Sequence, residues 1–511
     1  MLTPMPPGHV TRRWRWIGGH QASRLPAGRR QSGAFGAMFA ILLLVMLAFC
    51  GLAVDAAVIY NRKAELQGIA GSVALAAARE LDGTPAGVDA ALVKAGETAR
   101  RLKYRHNRTL AWDSGAITFS NSPARGAEWV SADAARASAG RRFYAQVDTR
   151  ALADDVGIVG AYILPLFRDM TPEMTISHTA IAGRSTIHVM PLAICAMSPN
   201  AGAARTNPGS PAAVELVEYG FRRGVTYNLM RLNPNGIEPA NFALDPLAPP
   251  GGLGSASNTS ASAIAPFVCS GRLWIPRFTG GAIRVGSPFP VASLYRQLNS
   301  RFDQYQGGAC SPNGAPPDFN IKAYTPGTAG GAAWMNPRPS RQSAQESTAG
   351  GRLQTIADLS SPPAGTTGDM YGPLWAHSRA VKFSSYTPGS NEPRNGYARF
   401  AAGDWATLYP GTPPPAPATY PSATQPYHLA TGAHYARPAD DLHLALAVIE
   451  RRVLHIPLLA CPVTPGSNVG ATALAIGKFF MTAPADAAGI YAEFSGIIPE
   501  NQLVGEVILY P

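Results

Sequence analysis

Two histidines are placed where they could meet, His178 and His188 on what read as neighbouring strands of one hairpin, while His443 falls inside a late helix and His455 just after it. Paired imidazoles are good zinc ligands, but two ligands without a third and a fourth leave a coordination sphere incomplete. Read without such partners, these are ordinary surface or core histidines. Asp440, Asp441 and Glu450 share the late helix, where a helix cap, first-turn charge and a solvated face account for them. The chain has no H-E-x-x-H pair, no G-x-S-x-G elbow, no G-x-x-x-x-G-K-S/T phosphate loop and no G-x-G-x-x-G after a strand. Gly466-Ser467-Asn468-Val469-Gly470 carries two glycines, with its serine displaced from the elbow position. The sequence therefore assigns no catalytic, cofactor-binding or metal-ligating residue, and no cofactor.

The elements around these residues begin with a charge asymmetry. The net charge is +11, yet Arg12, Arg13, Arg15, Arg24, Arg29 and Arg30 all precede the first acidic residue, Asp55, and without those six the chain is at +5. That remainder is dispersed, with no lysine-rich run and no zinc-finger spacing, so nucleic acid is not an expected partner. Residues 33–54, GAFGAMFAILLLVMLAFCGLAV, form an uncharged run of 22 residues. As a helix it would be about 33 Å long, enough for a hydrocarbon layer of about 30 Å. A cleaved secretory signal usually has a shorter apolar core. The basic flank places residues 1–32 in the cytoplasm and everything after Asp55 outside, giving a single-pass topology in contact with membrane lipid.

The helix is expected to continue past the bilayer, because Asp55 to Leu81 holds good helix formers and no proline. Leu66, Ile69, Ala70, Val73 and Ala77 fall at helical spacing and make one apolar stripe, suited either to packing on the chain's own domain or to lateral packing with other membrane subunits. Thr84-Pro85 then supplies a cap and first turn for a second helix to about Tyr104, with Val88, Leu92, Ala95, Ala99 and Leu102 on one side. Residues 55–105 thus read as a helical stalk or hairpin.

The stretch RRQSGAFGAMFAILLLVMLAFCGLAVDAAVIYNRKAELQGIAGSVALAAARE resembles the amino-terminal region of the TadG-like proteins of Flp (tight adherence) pilus assembly, over residues 29–82. The shared landmarks are Arg29-Arg30 with Gly33, Gly51 to Asp55, Tyr60, Leu66-Gln67 and the alanines from Ala74 to Ala78. The resemblance implies an inner-membrane anchor, a periplasmic remainder, and other Flp/Tad assembly proteins as partners. Longer relatives resemble chains carrying a von Willebrand A domain, whose metal site needs Asp-x-Ser-x-Ser; here Asp358-Leu359-Ser360 continues as Ser361-Pro362, without the last serine. Type IV pilins resemble one another in a glutamate five residues into the mature helix, and after Gly33 that position is Met38.

Residues 106–511 read as a mixed, strand-rich exported domain with long loops, so the whole chain is α+β. GAITFS at 115–120, RRFYAQVDT at 141–149, TISHTAIA at 175–182, STIHVMPLAI at 185–194 and the terminal EVILYP have strand character, and 182–184 could turn the middle pair into a hairpin. ADDLHLALAVIERRVL at 439–454 reads as an amphipathic helix. Residues 198–265, 305–350, 360–370 and 387–425 are rich in Pro, Gly, Ser, Asn and Ala, and the chain holds 52 glycines and 46 prolines. Cys50 is an apolar filler in the membrane helix, whereas Cys195, Cys269, Cys310 and Cys461 lie in the exported region. Four cysteines in an oxidising compartment suggest two disulfides with three possible connectivities. Cys195 with Cys461 is favoured, since each follows an apolar strand-like piece, PLAI and HIPLLA, which leaves Cys269 with Cys310. Two classes of function fit: a structural or assembly component of a Flp-type pilus system without enzymatic turnover, or an anchored periplasmic binding protein or enzyme acting on envelope material.

Overall fold

The computed structural model describes residues 32–105, 108–124, 126–139, 142–152, 156–160, 173–208, 213–278, 281–325, 341–411 and 424–510. The basic tail and most of the proline-rich stretch at 411–426 lie outside them. Helix α1 runs unbroken from Ser32–Glu80, about 73 Å at 1.5 Å per residue. The chain divides into two compact units, Met1–Arg62 with Ile158–Ile176, and Lys63–Gly157 with Ser177–Pro511. In the first, the apolar side chains of α1 from Phe35 to Phe49 point outward, and a short antiparallel pair joins Ile158–Gly160 to Glu173–Thr175.

In the second unit the same helix changes character. Leu66, Ile69, Ala70, Val73 and Ala77 are all buried, as their spacing requires. A Cβ on Gly71 would stand 3.3 Å from Leu509 Cδ1, and Arg184 Nη2 donates to the Arg79 carbonyl at 2.8 Å. The stripe thus packs on the chain's own domain. Helix α2, Pro85–Arg101, begins where expected: Thr84 is its N-cap, with Oγ1 accepting from Gly87 N at 3.0 Å, while Asp82 Oδ1 accepts from Thr84 N at 2.8 Å. Val88, Ala95 and Ala99 are buried, joined by Ala91.

A four-stranded antiparallel sheet has the order Val507–Tyr510, Thr179–Arg184, Tyr144–Asp148, Ile117–Ser120. Beside it in the chain stands an eight-stranded sheet ordered Thr226–Asn228, Tyr491–Ile498, Ala473–Met481, Val453–Leu459, Leu192–Cys195, Asn241–Leu244, Ile283–Gly286, Val469–Ala471. One pair, Val453–Leu459 with Leu192–Cys195, is parallel and the rest are antiparallel. Side chains alternate between two cores: Leu192, Ile194, Leu454, Ile456 and Leu458 enter one, Ala193, Cys195, Phe242, Leu244 and Leu459 the other. A sheet buried on both faces needs near-continuous apolar strands, which is the texture of VLHIPLL and ALAIGKFFM. The parallel pair sets Leu459 opposite Cys195, and the disulfide Cys195–Cys461 closes beside it with Cα atoms 5.5 Å apart. Cys269–Cys310 is the second disulfide.

Three expectations are corrected. Residues 175–194 form no hairpin, because Thr179–Arg184 belongs to the four-stranded sheet and Leu192–Cys195 to the eight-stranded one. The late helix covers Asp441–Leu446 only, because its C-cap Ala447 turns to extended backbone (ψ 139°); Glu450 then sits at φ +62°, and Val453 opens a strand. Residues 198–265 supply five strands of two to five residues, short enough between glycines and prolines to escape a periodicity reading. The remaining loops are organised by buried arginines. Arg222 donates to the carbonyls of Ala357 (2.5 Å) and Leu408 (2.9 Å), and Arg452 to those of Asn320, Lys322 and Met481. Carbonyls in loops and at the ends of elements find their donors there.

Candidate functional site

The apolar part of α1 is one candidate surface. Gly33, Gly36, Ala37 and Ala40 stand at i, i+3, i+4 and i+7, one face of the helix, and a Cβ on Gly36 would meet nothing within 4 Å. Among the described residues this is the one helix long and apolar enough to cross a membrane. Small residues on such a helix let a second backbone approach closely.

In the second unit one cleft, about 570 Å³, is lined by Glu218, Glu392, Lys478, Tyr219, Tyr386 and Tyr397 among others. Its two carboxylates are bridged by one cation: Arg223 Nε meets Glu218 Oε2 at 2.5 Å and Nη2 meets Glu392 Oε2 at 2.8 Å. Burial alone would raise the Glu392 carboxyl, but the Arg223 hydrogen bond and charge outweigh it and hold it below the usual carboxylate range. A carboxylate held ionised by a buried arginine is a poor proton donor.

A second cleft of about 320 Å³ is lined by His188, Arg272, Arg301, Glu450, Arg451 and His455, with Val448 and Ile449 also on its wall. His455 Nδ1 lies 2.9 Å from the His188 carbonyl, and burial lowers its pKa to about 4, opposed by that hydrogen bond. Burial likewise lowers His188, with Arg272 and Arg451 adding to the effect. Of the four histidines singled out by sequence, the structure brings together these two and not the expected pair. His178 stands just before the strand Thr179–Arg184 of the other sheet, its N–H donating to Thr149 Oγ1 at 2.8 Å. His443 Nδ1 lies 2.7 Å from Asp303 Oδ1, on a helix whose N-cap, Asp440, accepts from Leu442 and His443 N–H. Among the described residues no group of three or more His, Cys, Asp or Glu could hold a metal. Asp358 is internal, accepting from Thr355 N at 2.9 Å and Tyr227 OH at 3.0 Å, and Ser467 accepts from Thr259 through its carbonyl.

Sequence reasoning missed the buried polar centres. Glu493 is fully enclosed on Tyr491–Ile498 and accepts the N–H groups of Ala376, His377 and Ser378 at 2.6–3.0 Å. Burial pushes its carboxyl up to about 7 against those three donors. Next to it His377 Nδ1 is 2.9 Å from Ser495 Oγ, and His377 Nε2 is 3.9 Å from Glu450 Oε1. This serine-histidine contact lines neither cleft, and Ser495 is 4% exposed. Arg222 and Glu215 pair at 2.7 Å with 1% and 0% exposure. The contacts of Glu493 and His377 join residues 115–118 apart in the chain, so no local spacing signals them.

The family model for Tad, described as "Putative Flp pilus-assembly TadE/G-like", matches residues 33–80. Those bounds coincide with helix α1 almost residue for residue. No curated protein and no solved structure matches the chain.

Proposed function

We propose that this chain is a membrane-anchored assembly component of a Flp (Tad) type pilus system, inserted with its arginine-rich tail in the cytoplasm and its second unit in the periplasm, and acting through non-covalent contacts. One observation carries the reading: the segment matched by the Tad family model is a single helix whose first half is apolar and outward-facing while its second half is built into the chain's own domain. Its stripe from Leu66 to Ala77 is buried within the second unit, and its membrane half leaves a face of small residues for other membrane proteins. The arginines before Gly33 supply the orientation through the positive-inside rule.

The division of labour also restricts where partners bind. The stripe from Leu66 to Ala77 is occupied by the chain's own domain, so lateral packing falls to the segment before Asp55. Deleting the chain in its native cell, counting surface pili, and cross-linking the tagged protein through residues in 35–54 tests the reading. Loss of pili with cross-links to pilus components supports it. Normal piliation together with no such cross-link rejects it. Reporter fusions after Ala78 and after Tyr510 should both behave as periplasmic, and a cytoplasmic signal from either would overturn the orientation.

A further inference from the structure

The cleft beneath Val448 and Ile449 holds three arginines that the assembly role does not use. Arg301 is fully buried; Nη2 donates to the Val268 carbonyl at 3.1 Å and meets Met190 Sδ at 3.3 Å, Nη1 is 3.5 Å from the Leu298 carbonyl, and Nε has no partner. Arg451 donates through Nη2 to the Cys269 carbonyl, and Arg272 stands exposed at the rim. None of the three forms an ion pair with a described residue. Two of them converge: a Cβ on Gly271 would lie 2.9 Å from Arg451 Nη1 and 3.2 Å from Arg301 Nη2. Gly271, at φ +71°, is the C-cap of helix Ala261–Ser270, and the Cys269–Cys310 disulfide ties that last turn to the following loop.

Part of this positive charge has a structural use, since cations stabilise a helix carboxyl terminus. That end carries only about half a negative charge, against three guanidiniums. The one carboxylate on the wall, Glu450, lies 3.9 Å from His377 Nε2 and is mostly in solvent. His188 and His455 are held towards their neutral forms by burial and add hydrogen-bonding capacity without charge. Burial and Arg272 lower Arg451 to about 10, which leaves it a cation at neutral pH. Like charges held together in a partly dry cleft, with an unused Nε–H, are the arrangement that an oxyanion balances.

We propose that Arg272, Arg301 and Arg451 form a binding site for a phosphate monoester, with Val448 and Ile449 receiving its apolar substituent. Those two side chains are 45% and 67% exposed at the mouth of the cleft, and its volume of about 320 Å³ exceeds what a bare anion needs. The ester group is common to a free metabolite and to a lipid headgroup, and the test separates them.

Full-length protein in a non-ionic maltoside is titrated calorimetrically, at fixed ionic strength, with inorganic phosphate, hexyl phosphate and dihexanoyl phosphatidic acid, sodium chloride serving as the control. Hexyl phosphate should bind saturably and more tightly than inorganic phosphate. Tighter binding of the diacyl compound than of hexyl phosphate identifies a lipid headgroup, and equal or weaker binding a free ester. Arg272→Glu, at an exposed position that the fold tolerates, should weaken the preferred ligand about tenfold or more with an unchanged near-ultraviolet circular dichroism spectrum. Absence of saturable binding by all three compounds, or equal affinity in wild type and Arg272→Glu, would overturn the site.

Discussion

Glu493 and His455 titrate in opposite senses, and each makes a separable contribution to stability. The Glu493 carboxyl is raised from its ordinary value to about 7, so the folded state holds a proton that the unfolded state has released. Its contribution is present at low pH and is lost as pH rises through 7. His455 is lowered to about 4, so the unfolded state takes up a proton first as pH falls below the ordinary histidine value. Its contribution is present above that value and is lost as pH falls through 4. In urea denaturation at about pH 5 and about pH 7, His455→Asn should lose less stability on acidification than wild type, and Glu493→Gln should lose more. The reverse order would contradict the burial assigned to both groups. Arg222 gives a second expectation. Arg222→Ala leaves Glu215 buried and unpaired and releases two loop carbonyls, at a cost of about 3–5 kcal/mol. Joint replacement by Arg222→Met and Glu215→Leu should cost less than the single change, as denaturant midpoints would reveal.

Helix α1 has two regimes, and the same substitution should read differently in each. Ala77→Leu adds volume to a fully buried position and should destabilise the second unit by about 1–3 kcal/mol. Ala37→Leu, on the outward-facing apolar segment, should leave thermal unfolding of that unit unchanged while weakening cross-links to membrane partners. Equal effects of both changes on domain stability would show that the boundary between regimes is misplaced. The continuity of the helix follows from its sequence. Asp55 to Glu80 contains no proline, and Thr84-Pro85 starts α2 after a four-residue link, so the two helices are punctuated by local chemistry alone.

At the scale of the molecule, two disulfides span loops of very different length. Cys195–Cys461 closes a separation of 266 residues and Cys269–Cys310 one of 41. On the chain-entropy account the first restricts the unfolded state by about 5.6 kcal/mol and the second by about 4 kcal/mol. Peptide mapping without reductant should recover both pairs, and Cys195→Ser with Cys461→Ser should lower the unfolding temperature more than loss of the shorter bridge. Recovery of Cys195 joined to Cys269 or Cys310 would refute the strand arrangement itself, because the longer bridge depends on the parallel pairing of Leu192–Cys195 with Val453–Leu459.

Sequence alone determined the features whose causes are local. Contiguous apolarity marked the helix that can cross a membrane, 3.6-residue spacing marked the buried stripe from Leu66 to Ala77, Thr84-Pro85 marked the start of α2, and alternation marked the strands at Ile117–Ser120 and Tyr144–Asp148. The favoured cysteine pairing was legible because PLAI and HIPLLA are both apolar enough to be buried neighbours. Tertiary structure alone decided the order of the eight-stranded sheet, the separation of His178 from His188, and the clustering of Arg272, Arg301 and Arg451. Short strands and buried charges are stabilised by partners remote in sequence: Arg222 meets Leu408 across 186 residues and His455 meets His188 across 267. An arginine or histidine in a loop-rich sequence looks like solvated surface until the fold encloses it, and the free energy that holds it there resides in contacts that no local pattern records.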